Sequence, residues 1–282
     1  MLFALSVAEC LGMGLWFSAS AVVEPLSIEW GLTESGRAWL TMSVQAGFVL
    51  GTLLSALLNL SDIFNARHLF AISAALGAIF NGQIVFVADG GAIALLLRFL
   101  TGVTLAGVYP PGMKIMASWF KEGRGMAMGV LVGALTLGSA SPHLLRVVGG
   151  PEWRHLMLTA SIAAAAAGLI CFLFVKDGPH GVSGARFDAR YILKVFANRE
   201  VRLANFGYLG HMWELYAVWT WIPIFMTRSF SAYGVDQAAK WAALGGFGVI
   251  GIGAVGCVIA GLLADRYGRT TITIASLVIS GA

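Results

Sequence analysis

Residues 241–269 read WAALGGFGVIGIGAVGCVIAGLLADRYGR, an uncharged run from Trp241 to Ala264 that ends on the charged turn Asp265-Arg266-Tyr267-Gly268-Arg269. About 20 consecutive apolar residues, wound as an α-helix, are long enough to cross a hydrocarbon core. Lipid offers the backbone no hydrogen-bond partners, so a crossing segment must satisfy its own N–H and C=O groups, as a helix does. Stretches 38–61, 69–88 and 156–175 also contain no charged residue. Of all 282 residues, 58% are hydrophobic and only 11% charged, and the mean hydropathy is +0.82. Soluble domains carry about 25% charged residues. The chain is therefore read as an all-α membrane protein. The same deficit of charge excludes disorder, and the 36 glycines, which have no G-X-Y period, exclude collagen.

Working outward, the pattern predicts nine spans at 1–23, 38–58, 69–88, 92–120, 125–146, 156–175, 203–227, 239–264 and 270–282. The ninth is too short to cross. The longest polar segment, 176–202, holds six Lys/Arg and reads as a cytoplasmic linker, with an amphipathic stretch at 189–195 suited to the membrane surface. With the N-terminus inside, eleven Lys/Arg fall in cytoplasmic loops and five in outer ones, as the positive-inside rule requires. This places the protein in a cell membrane as a multi-pass chain with a cytoplasmic N-terminus and the bilayer as its partner. The net charge of +4 comes from bases scattered at span ends, so no nucleic acid is expected. Glu9 and the missing basic n-region argue against a cleaved leader. Cys10, Cys171 and Cys257 lie in separate apolar runs and form neither a disulfide framework nor a metal spacing.

An internal repeat is visible. Glu9 is followed seven residues later by Trp16, and Glu214 seven later by Trp221, an offset of 205 positions; Asp62 and Asp265 lie 203 apart. Repeats of this kind are frequent in secondary transporters. They divide the chain into a six-helix half (1–175), the linker (176–202) and an incomplete second half (203–282) with the seventh, eighth and part of the ninth helix. On this reading the intact protein has twelve helices.

Gly261-Leu-Leu-Ala-Asp265-Arg266-Tyr-Gly268-Arg269 closely resembles the G-x-x-x-D-R-x-G-R signature of the major facilitator superfamily, found in the cytoplasmic turn between the second and third helices of each half. Asp265 can pair with Arg269 or with a neighbouring helix terminus, and Gly268 suits a turn residue with φ > 0. The first-half copy, Ser61-Asp62-Ile-Phe-Asn-Ala-Arg67-His68, keeps the Asp and one Arg and lacks the glycines. Arg98-Phe-Leu-Thr-Gly102, followed by Gly107-Val-Tyr109-Pro110-Pro111-Gly112, resembles the family's fourth helix. Gly125, Gly129, Gly133, Gly138 and Pro142 resemble its glycine-rich fifth, with Ser141 where a glycine usually precedes the proline. Small residues at four-spacing let helix backbones approach closely. The resemblance implies a bundle whose halves rock about a central cavity, latched on the cytoplasmic side by Asp62, Arg67, Gly261, Asp265, Arg266, Gly268 and Arg269.

Ionisable groups at membrane depth usually work. At ~1.5 Å per residue, Glu9 lies about 12 Å into the first span and Glu214 about 17 Å into the seventh. Each can serve as a proton acceptor or as a structural carboxylate bonded to a neighbouring helix. The helical wheel puts Glu9, Met13, Trp16 and Ser20 on one stripe and Glu214, Val218, Trp221 and Phe225 on another, with Trp221 offered as a substrate contact. His211, one turn before Glu214, can pair with it or with a neighbouring helix. Arg98, on a face with Tyr109, can bind an anion or pair with Glu9. Lys114 is expected to snorkel and His143 to lie at the interface. Gly246-Phe-Gly248-Val-Ile-Gly251 lacks the preceding strand a dinucleotide site needs. No nucleophile, base or metal constellation stands out, so neither an enzyme nor a cofactor is expected. The expected function is secondary active transport of a small hydrophilic solute, leaning to an organic or inorganic anion and coupled to protons, by a monomer when full length. The alternative is a non-transporting fragment or membrane sensor of the same fold.

Overall fold

The computed structural model describes residues 1–88, 91–148, 152–181 and 196–281. The surface stretch expected at 189–195 lies outside them. Thirteen numbered helices follow: α1 Leu2–Met13, α2 Ser18–Ala21, α3 Val23–Trp30, α4 Glu34–Leu57, α5 Leu60–Ile63, α6 Ala66–Val87, α7 Gly91–Leu105, α8 Tyr109–Trp119, α9 Arg124–Val148, α10 Trp153–Phe174, α11 Arg199–Ala232, α12 Ala238–Tyr267 and α13 Arg269–Gly281. There is no strand among the described residues. Among the described residues, six segments are long and apolar enough to cross a membrane: α4, α6, the α7–α8 unit, α9, α10 and α12. The molecule is a multi-pass helical membrane protein.

Local chemistry sets the helix ends. The Thr33 hydroxyl accepts from the Gly36 N–H at the start of α4. Asn65 accepts from Arg67 and His68 at the start of α6, and Asn198 from Glu200 and Val201 at the start of α11. Each such cap contributes about 1 kcal/mol. Pro142 sits inside α9 and has no N–H for the Gly138 carbonyl four residues earlier. The Ser141 hydroxyl donates to that carbonyl instead, at 2.7 Å, which gives the serine its place beside the proline.

The first span departs from expectation. The segment expected to be one helix over 1–23 is three short helices reaching Trp30, with a break at 14–17 and a second at Val22. The seventh span is longer than 203–227, running from Arg199 to Ala232. α1 packs between α9 and α10, α4 lies on α7, α6 on α10, and α9 with α12 forms the most extensive helix pair. One end of the bundle carries the 58–65, 120–123 and 175–181 connections and Gly268. There the Trp119 indole donates to the Lys176 carbonyl, the Gly178 N–H to Ser118 Oγ and the His180 N–H to the Ser118 carbonyl. The start of the polar segment is thus fastened to the first bundle. At the opposite end, Glu29 accepts from the Trp153 indole and from Arg154, tying α3 to α10.

Candidate functional site: two buried charges and an inter-helix joint

The break in the first span leaves carbonyls without helical donors, and Arg98 of α7 supplies them. Its guanidinium donates to the carbonyls of Leu15 (3.0 Å), Trp16 (2.6 Å) and Leu40 (3.4 Å), and to Ser18 Oγ and Asn81 Oδ1. Asn81 in turn donates to Ser161 Oγ and the Met157 carbonyl, which extends the network to α10. A buried cation is tolerable only when its hydrogen bonds are made, and here carbonyl dipoles replace a counter-charge. Arg98 makes no bond to Glu9, so the expected pairing is corrected. It clamps the kinked first span onto α4, α6 and α7.

Glu9 is the opposite case. It is fully buried, and neither carboxylate oxygen has a hydrogen-bond partner among the described residues. Its Oε2 lies against Gly112 of α8, where an added Cβ would approach to 2.6 Å, with the Phe70 ring close by. Ser6 Oγ, one turn earlier, is likewise unpartnered. Trp16 carries a third orphan, its Nε1. The Trp16 ring meets Phe48 edge-on at 4.7 Å and stacks on Tyr216 of α11 at 5.7 Å, while Phe17 meets Trp219 at 5.9 Å. The first and seventh spans therefore touch through aromatic faces. Tyr109, at the start of α8, packs on the same core.

That contact uses a different face of α11 from the expected one. Trp221 is 62% exposed, and Val218 and Phe225 on its stripe are exposed too. Glu214 Oε1 accepts from Ser280 of α13, 66 residues away, and no bond joins it to His211, whose Nδ1 is buried without a partner. The expected His211–Glu214 pair is not formed. His143, expected at the interface, is buried with Nε2 unpartnered and faces Gly246 of α12.

The charged turn behaves as a joint. Asp265 accepts from the backbone N–H groups of Gly125 (2.8 Å) and Met126 (2.9 Å), in the first turn of α9. A carboxylate suits a helix N-terminus, where N–H groups are free and the dipole is positive. Below it the two backbones are in contact: a Cβ on Gly261 would lie 2.3 Å from the Gly125 carbonyl, and one on Gly129 2.4 Å from that of Cys257. Gly268 has φ +89°, as the turn demands. Arg266 lies over the Tyr267 ring at 5.2 Å; of the two partners expected for Asp265, the helix terminus is the one it takes. In the first copy, Asp62 pairs with Lys114, which also donates to the Ser61 carbonyl. Lys114 therefore turns to an acid instead of snorkelling. Arg67 donates to the Val175 carbonyl, not to Asp62. A cleft of about 390 Å³ at this end is lined by Asp62, Lys114, Ser118, Arg124, Asp177 and His180 among others, and by neither Glu9 nor Trp16.

Sequence reasoning missed Asn81, Tyr216 and Trp219 as site neighbours. An asparagine inside an uncharged run is a usable signal, because an amide in lipid needs partners; the rotation of α11 left none.

A family profile described as the Major Facilitator Superfamily matches residues 5–282. The chain is 27% identical over 181 residues to the MFS-type transporter pytF of Aspergillus terreus, covering 62% of this chain and 58% of that protein. It is 25% identical over 179 residues to solute carrier family 22 member 6 of Mus musculus, with 62% and 32% covered. It is 23% identical over 170 residues to the uncharacterized transporter YybO of Bacillus subtilis, with 52% and 38% covered. The chain thus spans from about a third to under two thirds of the length of these relatives.

Proposed function

The chain belongs to the Major Facilitator Superfamily, and on that premise we propose that it acts in secondary active transport of a small hydrophilic solute across a cell membrane, coupled to protons. Residues 1–175 form one rocking body, 176–202 a cytoplasmic linker and 203–282 the first part of a second body, with the N-terminus inside. The joint of Asp265 with Gly125 and Met126 belongs to the face that opens and closes.

The observation that carries the coupling is Glu9, fully buried with both oxygens unpartnered. An ionised carboxylate left so costs several kcal/mol, so it takes a proton in the closed state and can release it where the cavity opens to water. Glu214, half-exposed and bonded to Ser280, is the weaker candidate. Arg98 is engaged by protein oxygens, which removes its support for an anion as the solute.

The test is reconstitution in proteoliposomes loaded with a pH-sensitive dye, with a panel of small solutes screened for proton-linked uptake. Glu9→Gln is expected to lose accumulation driven by a pH gradient, with Glu214→Gln affected less. Gradient-driven accumulation that survives in both variants and in the double variant removes the carboxylates from coupling. A panel in which no solute moves removes transport itself.

A further inference from the structure

Resting on the transport reading, the geometry points to an organic cation as the solute, held by Glu9 and the aromatic faces of Trp16 and Tyr216 and exchanged for the proton on Glu9.

The first support is charge. Glu9 makes neither an ion pair nor a hydrogen bond among the described residues, and both its oxygens are buried. Arg98, the fully buried cation of the same half, is held by three carbonyls, Ser18 and Asn81. An anion entering as the proton leaves would put a second negative charge near an unpaired carboxylate. A cation would supply what the site lacks.

The second support is independent of charge. Trp16 has Nε1 unpartnered, and its ring meets Phe48 edge-on and stacks on Tyr216. Trp16 and Phe17 belong to the first span, Tyr216 and Trp219 to the seventh, so parting the halves uncovers indole and phenol faces together. Such faces attract ammonium groups, most strongly where water is excluded. The orphan indole N–H can meet an acceptor on the solute body. Glu9 lies about two turns from Trp16 along the span, room for an ammonium at one end and an apolar body at the other.

A metal ion fits poorly. Hard cations take six or more oxygens, and Ser6 is the one unpartnered oxygen near Glu9 on its helix. No group of three His, Cys, Asp or Glu among the described residues could hold a metal. The exchange balances: an organic monocation binds the carboxylate as its proton leaves to the open side, and the reverse occurs on the other side. Net charge at the site is unchanged.

The experiment titrates the purified chain in lipid nanodiscs with three probes of one shape: benzyltrimethylammonium, benzyl alcohol and benzoate. Tryptophan quenching reads binding, and a dye in weak buffer reads proton release. The ammonium is expected to bind about tenfold tighter than benzoate and to release protons as it binds. Glu9→Gln should abolish the release and that preference while benzyl alcohol binds as before, which also shows the variant folded. Trp16→Leu should weaken ammonium and alcohol alike. Benzoate binding as tightly as the ammonium, no binding of any probe, or ammonium binding unchanged in Glu9→Gln overturns the inference. Ammonium binding with proton release but without flux in proteoliposomes would sink the transport reading and leave this one standing. Gradient-driven benzoate uptake would do the reverse.

Discussion

The turns around Asp62 and Asp265, matched by their spacing in the sequence, do different jobs. Asp62 takes the side chain of Lys114, on the fourth span of its own half. Asp265 takes two backbone N–H groups on the fifth span, across from its own half. The glycines account for much of the difference. Gly261 lets α12 touch α9 backbone to backbone, which brings Asp265 within reach of the helix terminus; the first copy has Leu58 where that glycine would stand. One turn ties to the α8 side chain Lys114 and the other ties α12 to the start of α9.

The largest break of this comparison is Gly261→Val. Its Cβ would lie 2.3 Å from a backbone carbonyl that cannot rotate away, so α9 and α12 must separate, at about 1–3 kcal/mol or more. Cross-linking between cysteines placed on α9 and α12 should fall sharply, with uptake lost. Close to wild-type cross-linking would show the contact to be incidental. Next is Asp265→Asn, which keeps one acceptor and loses the charge at an exposed site. About 1 kcal/mol is expected after screening, some fivefold in the closed population, with membrane insertion intact. Wild-type uptake in this variant would make the charge dispensable.

Smaller still is Asp62→Asn. Its pair with Lys114 is partly exposed, and such pairs contribute about 0–1 kcal/mol, so thermal stability in detergent should hardly move. A loss as large as that of Asp265→Asn would erase the distinction between the copies. The smallest effect belongs to Glu29, at the other end. Its bonds from Arg154 and then Trp153 hold its carboxyl below the usual range. A lowered folded-state value stabilises above the unfolded pKa and is lost as pH falls through the folded one. Stability should therefore drop slightly more below about pH 4 in the native chain than in Glu29→Gln; identical acid profiles would show the tie carries nothing.

Much of the architecture was legible because uncharged runs have a single solution in lipid. The second to sixth and eighth spans fall within a few residues of where Trp39, Phe70, Arg98, Met126, Met157 and Trp241 place them. The four-spaced glycines of α9 announced a close approach, though not its partner. What escaped was set by atoms that sequence does not mark. The break at 14–17 is stabilised by main-chain carbonyls meeting Arg98, and the string CLGMGLWFSAS shows no proline there. The face of α11 was misjudged because aromatic residues surround that helix, so Tyr216 and Trp221 were equivalent until Trp16 chose between them. The spacing of His211 and Glu214 permitted a pair, but Ser280 reached the carboxylate first.

Gly125 and Asp265 lie 140 residues apart, which gives the joint a place in time. At roughly 5–20 residues per second of synthesis, α9 emerges on the order of ten seconds before the carboxylate that caps it. Through that interval its first N–H groups have no protein acceptor from α12, while α1, α4, α6 and α7 are already available to pack and α10 follows. The first bundle must therefore stand on its own contacts before the joint exists, and a nascent chain arrested before Asp265 should leave the start of α9 the fastest-exchanging part of an otherwise protected half.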